Sequence, residues 1–154
     1  MPEVTVLTPV YNAGPYLREA VASILSQSFR DFEFLLIDDG STDGSSEVVR
    51  GFNDPRIRLV RNETNQGVAA TLNQGLALAA GRYVARMDSD DISLPHRLAE
   101  QVAFMKRNPH VAVAGSWARY VGKFEGHLER RPFGSACVNS SPLFANPLTH
   151  PSIM

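Results

Sequence analysis

The sequence predicts an α/β fold in which a mostly parallel sheet carries helices on both faces. Strand-like and helix-like segments alternate from Val4 to Ala114. The run Phe34-Leu35-Leu36-Ile37 is apolar without alternation, as expected of a parallel strand covered on both sides. With 44% hydrophobic and 20% charged side chains, the 154 residues hold enough apolar material for one globular core.

The elements follow in order. Val4–Thr8 is β-rich and is predicted to stop at Pro9, with Asn12, Gly14 and Pro15 forming a loop into a helix. That helix is predicted over Tyr16–Ser28, because Leu17, Ala20, Val21, Ile24 and Leu25 fall on one face. Strand two, Phe34–Ile37, ends in Asp38-Asp39-Gly40. Ser41, Thr42 and Asp43 are good helix caps before a helix carrying Val48, Val49 and Phe52. Ile57–Val60 reads as strand three. Val68, Leu72, Leu76 and Ala80 then repeat every fourth residue until Gly81 supplies a stop. Strand four, Tyr83–Met87, also ends in acid, Asp88-Ser89-Asp90-Asp91. A helix through Leu98, Val102 and Met105 closes at Asn108-Pro109, and Val111–Ala114 is predicted as strand five. After Trp117 only short β-like pieces are legible, Arg119–Phe124 and Gly126–Arg130.

Charge and composition narrow the function. Fifteen basic against 16 acidic side chains give a net charge of −1, which provides no global field for holding a phosphate backbone, so no nucleic-acid partner is expected. Cys137 is the one cysteine and cannot form an internal disulfide, which favours a reducing compartment. No apolar run approaches the roughly 20 residues of a membrane span, and the chain reads as soluble and cytoplasmic.

In parallel α/β sheets ligands bind outside the carboxyl ends of the strands, where this chain puts both acidic clusters. Asp88, Asp90 and Asp91 would repel one another unless a cation or donor groups neutralise them. A divalent cation such as Mg²⁺ or Mn²⁺ takes one or two carboxylates and completes its shell with substrate phosphates and water, which points to a diphosphate-bearing ligand. Taken singly, Asp88, Asp90 and Asp91 also read as a solvated turn, and Asp38-Asp39-Gly40-Ser41 reads first as turn and helix-cap chemistry. Two acid-terminated strands in one sheet favour a polar crevice.

The motifs Thr8-Pro9-Val10-Tyr11-Asn12, Ser26-Gln27-Ser28-Phe29, Ile37-Asp38-Asp39-Gly40-Ser41-Thr42-Asp43, Asn65-Gln66-Gly67, Asn73-Gln74-Gly75 and Asp88-Ser89-Asp90-Asp91 together resemble glycosyltransferase family 2. Asn146-Pro147-Leu148 and His150–Met154 resemble a further segment of that family. The resemblance implies a GT-A fold and inverting transfer of a sugar from a nucleotide diphosphate sugar, most often a UDP-sugar, to a hydroxyl acceptor. It implies a donor-binding core over 1–116 and the incomplete start of an acceptor-side region over 117–154. By similarity Pro9 and Tyr11 line the base pocket and Asp39 accepts a hydrogen bond from the base. Asn12, Asn65, Gly67 and Ser89 join the nucleotide-sugar site. Asp88 lies at the ribose, and Asp90, with Asp88 beside it, holds Mn²⁺ or Mg²⁺. Leu72 departs from the pattern, standing where many relatives carry a basic residue.

An inverting transferase needs a general base for the acceptor hydroxyl. In the family that acid lies further along, so it is expected beyond Met154, and the chain reads as a donor-binding fragment with weak or no transfer activity. The whole enzyme is expected to build a surface polysaccharide or glycolipid, and a saccharide or lipid-linked acceptor of that kind would bring it to the inner face of the membrane. Two alternatives stand beside this reading. One is a metal-dependent phosphotransferase with Asp88 as nucleophile, which would need its acids after the first strand. The other is a non-catalytic nucleotide-binding module. No G-x-x-x-x-G-K-[ST] loop is present, and no G-x-G-x-x-G follows the first strand.

Overall fold

A computed structural model describes residues 1–119, 128–129 and 152–154. Its centre is a parallel sheet of four strands in the order β3-β2-β1-β4, formed by β1 (Val4–Val10), β2 (Phe32–Asp38), β3 (Ile57–Arg61) and β4 (Tyr83–Arg86). The connecting helices are α1 (Leu17–Leu25), α2 (Ser45–Arg50), α3 (Val68–Leu78) and α4 (Arg97–Arg107), with a short 3₁₀ turn at Gly14–Tyr16 before α1. The predicted α/β architecture is therefore present.

Strand alternation sorts the apolar residues into two layers. Val4, Val6 and Val10 of β1 and Phe34 and Leu36 of β2 face Leu17, Val21 and Ile24 of α1 and Leu98 and Val102 of α4. Leu7, Leu35 and Ile37 face the other way and receive Leu72 and Leu78 of α3. Each of these sheet residues is at most 1% exposed, and full burial of such a side chain stabilises by about 1.5–3 kcal/mol.

Several boundaries differ from the sequence expectation for local reasons. β1 runs through Pro9 to Val10. Met87 N–H donates to the Leu7 carbonyl and Asp39 N–H to the Val10 carbonyl, so odd positions of β1 face β4 and even positions face β2. Pro9 thus falls on the β4 side, past the last register pair Leu7–Arg86, where its missing N–H leaves no gap in the ladder. The first helix ends at Leu25, because Gln27 turns into the interior and is fully buried. Gly81 is not the helix stop. Ala79 ends α3 in an extended conformation, and Gly81 is required instead by a close approach to β1. A Cβ there would stand 2.3 Å from the backbone nitrogen of Thr5.

The fifth strand predicted over Val111–Ala114 does not form. The edge beside β4 is taken by the end of the chain, where Arg86 N–H donates to the Ile153 carbonyl at 2.9 Å. Ala114 then meets Met154 through two reciprocal backbone hydrogen bonds of 2.8 Å each, the one such pair between these two segments among the described residues. Of the β-like pieces after Trp117, β5 (Ala118–Arg119) and β6 (Leu128–Glu129) pair antiparallel. Cys137, Asn146-Pro147-Leu148 and His150 lie outside the described residues. No helix among the described residues is long and apolar enough to cross a membrane.

A polar clamp fixes the entry to β3. Arg56 grips Asp54 with Nε–Oδ1 at 2.9 Å and Nη2–Oδ2 at 2.7 Å, caps the Leu25 carbonyl, and lies 4.5 Å over the Phe32 ring. The Arg56 hydrogen bond holds the Asp54 carboxyl down at about 2.

Two predictions follow from these contacts. Gly81→Ala should lower unfolding free energy by about 1–3 kcal/mol in urea titration, and a change below about 0.5 kcal/mol would contradict the close approach. Because the folded pKa of Asp54 lies below the unfolded value near 3.9, its stabilising effect is present above about pH 4 and is lost as pH falls toward 2. Asp54→Asn should therefore cost about 1–2 kcal/mol at pH 7 and almost nothing at pH 2, read from thermal melts at both.

Candidate nucleotide-diphosphate site

The same alternation that sorts the core sorts the acids at the strand ends. Asp38 continues the α1 and α2 face of β2 and Asp39 the α3 face, so adjacent aspartates serve opposite layers. Asp38 is fully buried. It accepts the Ser41 N–H at 2.8 Å and the Ser46 hydroxyl, with Arg61 Nε 3.7 Å away. These partners tie β2 to the start of α2.

Asp39 is 3% exposed and organises the loop between β3 and α3. Its carboxylate accepts Asn62 Nδ2 at 2.8 Å, Gly67 N–H at 2.9 Å, and Gln66 N–H shared between both oxygens at 3.1 and 3.0 Å. Burial pushes its pKa up, but hydrogen bonds from Asn62, Gln66, Thr71 and Gly67 outweigh burial and hold it below the ordinary value. Asp39 is thus a fixed, ionised acceptor at neutral pH. Gly40 makes the fit possible, since a Cβ there would meet the Thr64 carbonyl carbon at 2.9 Å.

The loop after β1 is bound to the loop after β2. Asn12 N–H donates to Ser41 Oγ, Ala13 N–H to Ser45 Oγ and Gly14 N–H to Asp43 Oδ2, while Thr42 N–H donates to Asn12 Oδ1. Asn12 adopts φ 48°, which an asparagine tolerates. Of the caps expected at Ser41–Asp43, Asp43 serves as an acceptor, for the N–H and hydroxyl of Ser45 at 3.0 and 2.6 Å. Above this loop Tyr11 stands half exposed, with its ring available to a planar ligand.

The acids after β4 sit beside arginines. Arg86 and Asp88 are two positions apart and therefore share a face; Arg86 Nη2 lies 2.5 Å from Asp88 Oδ1. Arg97 Nη2 donates to the Arg86 carbonyl at 2.7 Å. Burial, then the charges of Asp88 and Asp90, push the Asp91 carboxyl up to about 6, against the opposing pull of Arg86 and Arg97. Asp90 is exposed. Among the described residues no three His, Cys, Asp or Glu side chains are arranged to hold a metal ion by themselves. Hard carboxylate oxygens that leave most of a coordination shell to be filled by phosphate and water fit Mg²⁺ or Mn²⁺ and would not suit a softer ion.

Pro9, Tyr11, Asp39, Asn65, Gly67, Asp88, Ser89 and Asp90 all line one pocket of about 270 Å³, together with Val10, Val68 and Thr71. Asn12 does not line it and acts on the loop beneath Tyr11. Leu72, at the position without the basic residue, packs against Leu7, Leu35 and Ile37. A larger apolar groove of about 540 Å³ between α3 and β4 has no acid in its lining, so the polar chemistry belongs to the smaller pocket.

The Ser26-Gln27-Ser28-Phe29 motif does not by itself reveal what Gln27 does, and the structure supplies it. Its Nε2 donates to Leu94 O at 2.7 Å and Ser93 Oγ at 3.2 Å, and its Oε1 accepts Leu98 N–H at 3.1 Å. Gln27 anchors the segment that follows the acids. Asn62 and Arg86 were also missed, since neither stands in a motif and only their strand-end positions hint at them.

Comparison with known proteins agrees with this geometry. The profile of Glycosyl transferase family 2 matches residues 5–146. The chain is 43% identical over 118 residues to EpsE of Bacillus subtilis, covering 75% of this chain and 42% of EpsE. It is 35% identical over 126 residues to WfgD of Escherichia coli, a UDP-Glc:alpha-D-GlcNAc-diphosphoundecaprenol beta-1,3-glucosyltransferase, covering 79% of this chain and 50% of WfgD. Among solved structures it resembles PcManGT of Pyrobaculum calidifontis, a mannosyltransferase in complex with GDP-Man and Mn²⁺. There the TM-score is 0.70 and the identity 29%, over 77% of this chain and 36% of that one. It also resembles S. aureus TarS 1–349 in complex with UDP-GlcNAc, with TM-score 0.68 and 30% identity over 79% of this chain and 37% of that one. The chain spans about half or less of the length of these relatives. The matched profile, these relatives and the GT-A architecture of the solved neighbours make the chain a member of glycosyltransferase family 2.

Proposed function

We propose that this chain is the donor-binding part of an inverting glycosyltransferase that takes a sugar from a nucleotide diphosphate sugar, a UDP-sugar, and passes it to a hydroxyl acceptor. The observation that carries the reading is the meeting of Tyr11, Asp39 and Asp88-Ser89-Asp90 on one pocket of about 270 Å³. An exposed aromatic ring and a buried anionic acceptor suit a nucleobase, and acids across the pocket suit a cation-bridged diphosphate.

Tyr11 packs on the base and Pro9 walls the pocket. Three N–H donors occupy the Asp39 carboxylate, and a carboxylate offers about four acceptor positions. A ring N–H of the base joins these donors at the same carboxylate. Asn65 and Gly67 approach the nucleoside on the loop that Asp39 holds, and Asn12 fixes the turn below Tyr11. Asp88 and Ser89 stand at the ribose. Asp90, with Asp88 beside it, is the ligand for Mn²⁺ or Mg²⁺. Such a cation supplies positive charge against the diphosphate as it leaves.

The uridine assignment draws on the UDP-sugar named for WfgD and the UDP-GlcNAc bound to TarS. The GDP-Man of PcManGT makes guanosine the comparator. A lipid-linked acceptor of the kind in the WfgD name fits a whole enzyme in glycan synthesis at the cytoplasmic membrane face.

Calorimetric titration of UDP and GDP with and without Mn²⁺ tests the reading. UDP should bind with Mn²⁺ and at least tenfold more weakly without it. Asp90→Asn should erase most of that metal dependence. Asp39→Ala should weaken UDP about tenfold with or without metal, the loss expected for a charge-assisted hydrogen bond. Absence of binding by either nucleotide would leave a family fold without a donor site.

A further inference from the structure

We infer that Arg86 is a positioning residue for the donor site: it fixes Asp88 in an ion pair, so that Asp88 meets the nucleotide already oriented and the cation falls to Asp90. The role rests on the donor-binding reading given above and adds to it a residue that none of the sequence motifs contains.

The Arg86 side chain is 12% exposed and that of Asp88 32%. Nη2 of Arg86 meets Asp88 Oδ1 at 2.5 Å, while Nε and Nη1 are buried without a hydrogen-bond partner among the described residues. The backbone around the pair is held on both sides: Arg86 N–H donates to Ile153 O, and Arg86 O accepts from Arg97 Nη2. A guanidinium with two unpartnered nitrogens beside Leu7, Leu72 and Val84 is a poor choice for stability alone, because a buried ion pair of this kind is commonly replaced by apolar side chains at little or no loss. Its retention is explained by its effect on Asp88. Like-charged neighbours at positions 90 and 91 push against the Asp88 carboxylate. Pairing with Arg86 counters that repulsion and fixes the carboxylate before a ligand arrives. Asp90 forms no ion pair among the described residues, so it is the acid left for the cation.

A double-mutant cycle on the whole chain separates positioning from a structural role. Affinity for UDP with Mn²⁺ and melting temperature would be measured for the wild type, Arg86→Met, Arg86→Lys, Asp88→Asn, and Asp88→Asn combined with Arg86→Met. Arg86→Met should weaken UDP about tenfold, as expected for loss of a hydrogen-bonded charge pair, while the double variant, which removes both partners of the pair, should melt close to the wild type. Arg86→Lys should fall between Arg86→Met and wild type, since an ammonium keeps the charge but loses the planar fork. In the Asp88→Asn background, Arg86→Met should alter UDP affinity less than about twofold. A full effect of Arg86→Met in that background would overturn the inference, as would wild-type affinity in Arg86→Met. Unfolding of both Arg86 variants would assign Arg86 to the fold and overturn it too. Wild-type chain that binds neither UDP nor GDP defeats the donor-site reading itself; wild-type binding with silent Arg86 variants defeats only the role of Arg86.

Discussion

The parallel pairing of β1 with β2 on one side and β4 on the other is the constraint on which the rest depends. Val4 to Val10 takes seven register partners from β2, and Val4 to Leu7 takes four from β4. Parallel strands end on the same edge, so three chain reversals emerge side by side: Tyr11-Asn12, Asp39-Gly40 and Asp88–Asp91. Alternation then decides which residue of each reversal faces α3 and which faces α1 and α4. Pro9, Asp39 and Asp88 lie on the α3 side, and that shared parity, more than any single motif, is why they line one pocket.

Most of this was legible in the sequence because it rests on local signals of short range. The continuous apolar run at Phe34–Ile37, the fourfold spacing of Val68, Leu72 and Leu76, and the acids closing two strands each gave an element or a site within one or two turns of chain. What the sequence could not reveal was decided by partners far away. Val111–Ala114 has strand composition, but Ile153 takes the edge beside β4 and only Ala114 finds a partner, in Met154. Gly81 has the look of a helix stop, yet its need comes from Thr5, which lies 76 residues away by sequence. Gln27 reads as a polar residue in the last turn of a helix, and only the placement of Ser93, Leu94 and Leu98 makes it a buried crosspiece. Asp38 and Asp39 are indistinguishable by type, and the parity of β2 alone separates the structural acid from the pocket acid.

The two acidic sites solve the same problem of buried negative charge in opposite ways. Asp39 is neutralised by the protein itself, through three N–H donors that arrive with the loop of Asn62 to Gly67. The protein holds this carboxylate before any ligand comes, and those hydrogen bonds lower its pKa against the effect of burial. Among the described residues Arg86 and Arg97 face the Asp88–Asp91 cluster, and the raised pKa of Asp91 reflects burial first and then the charges of Asp88 and Asp90. A finished site gives shape recognition at small reorganisation cost, which suits a base; an unfinished one attracts positive charge, which suits a cation carrying phosphate.

This difference also explains why the support around the Asp88–Asp91 acids is heavier than around Asp39. A carboxylate cluster with uncompensated charge tends to spread, so the chain on both sides of it must be held. Before the cluster, Arg86 is fixed by Ile153 and Arg97 through its backbone. After it, Gln27 grips Ser93, Leu94 and Leu98 from the end of α1, and Ser28 N–H donates to Pro95 O at 2.8 Å. The acids therefore form a short bridge between two anchored ends, and the repulsion among them has little backbone freedom through which to relax. A charge held in this way remains available to a ligand, whereas the same charges on a free loop would separate and hydrate one by one.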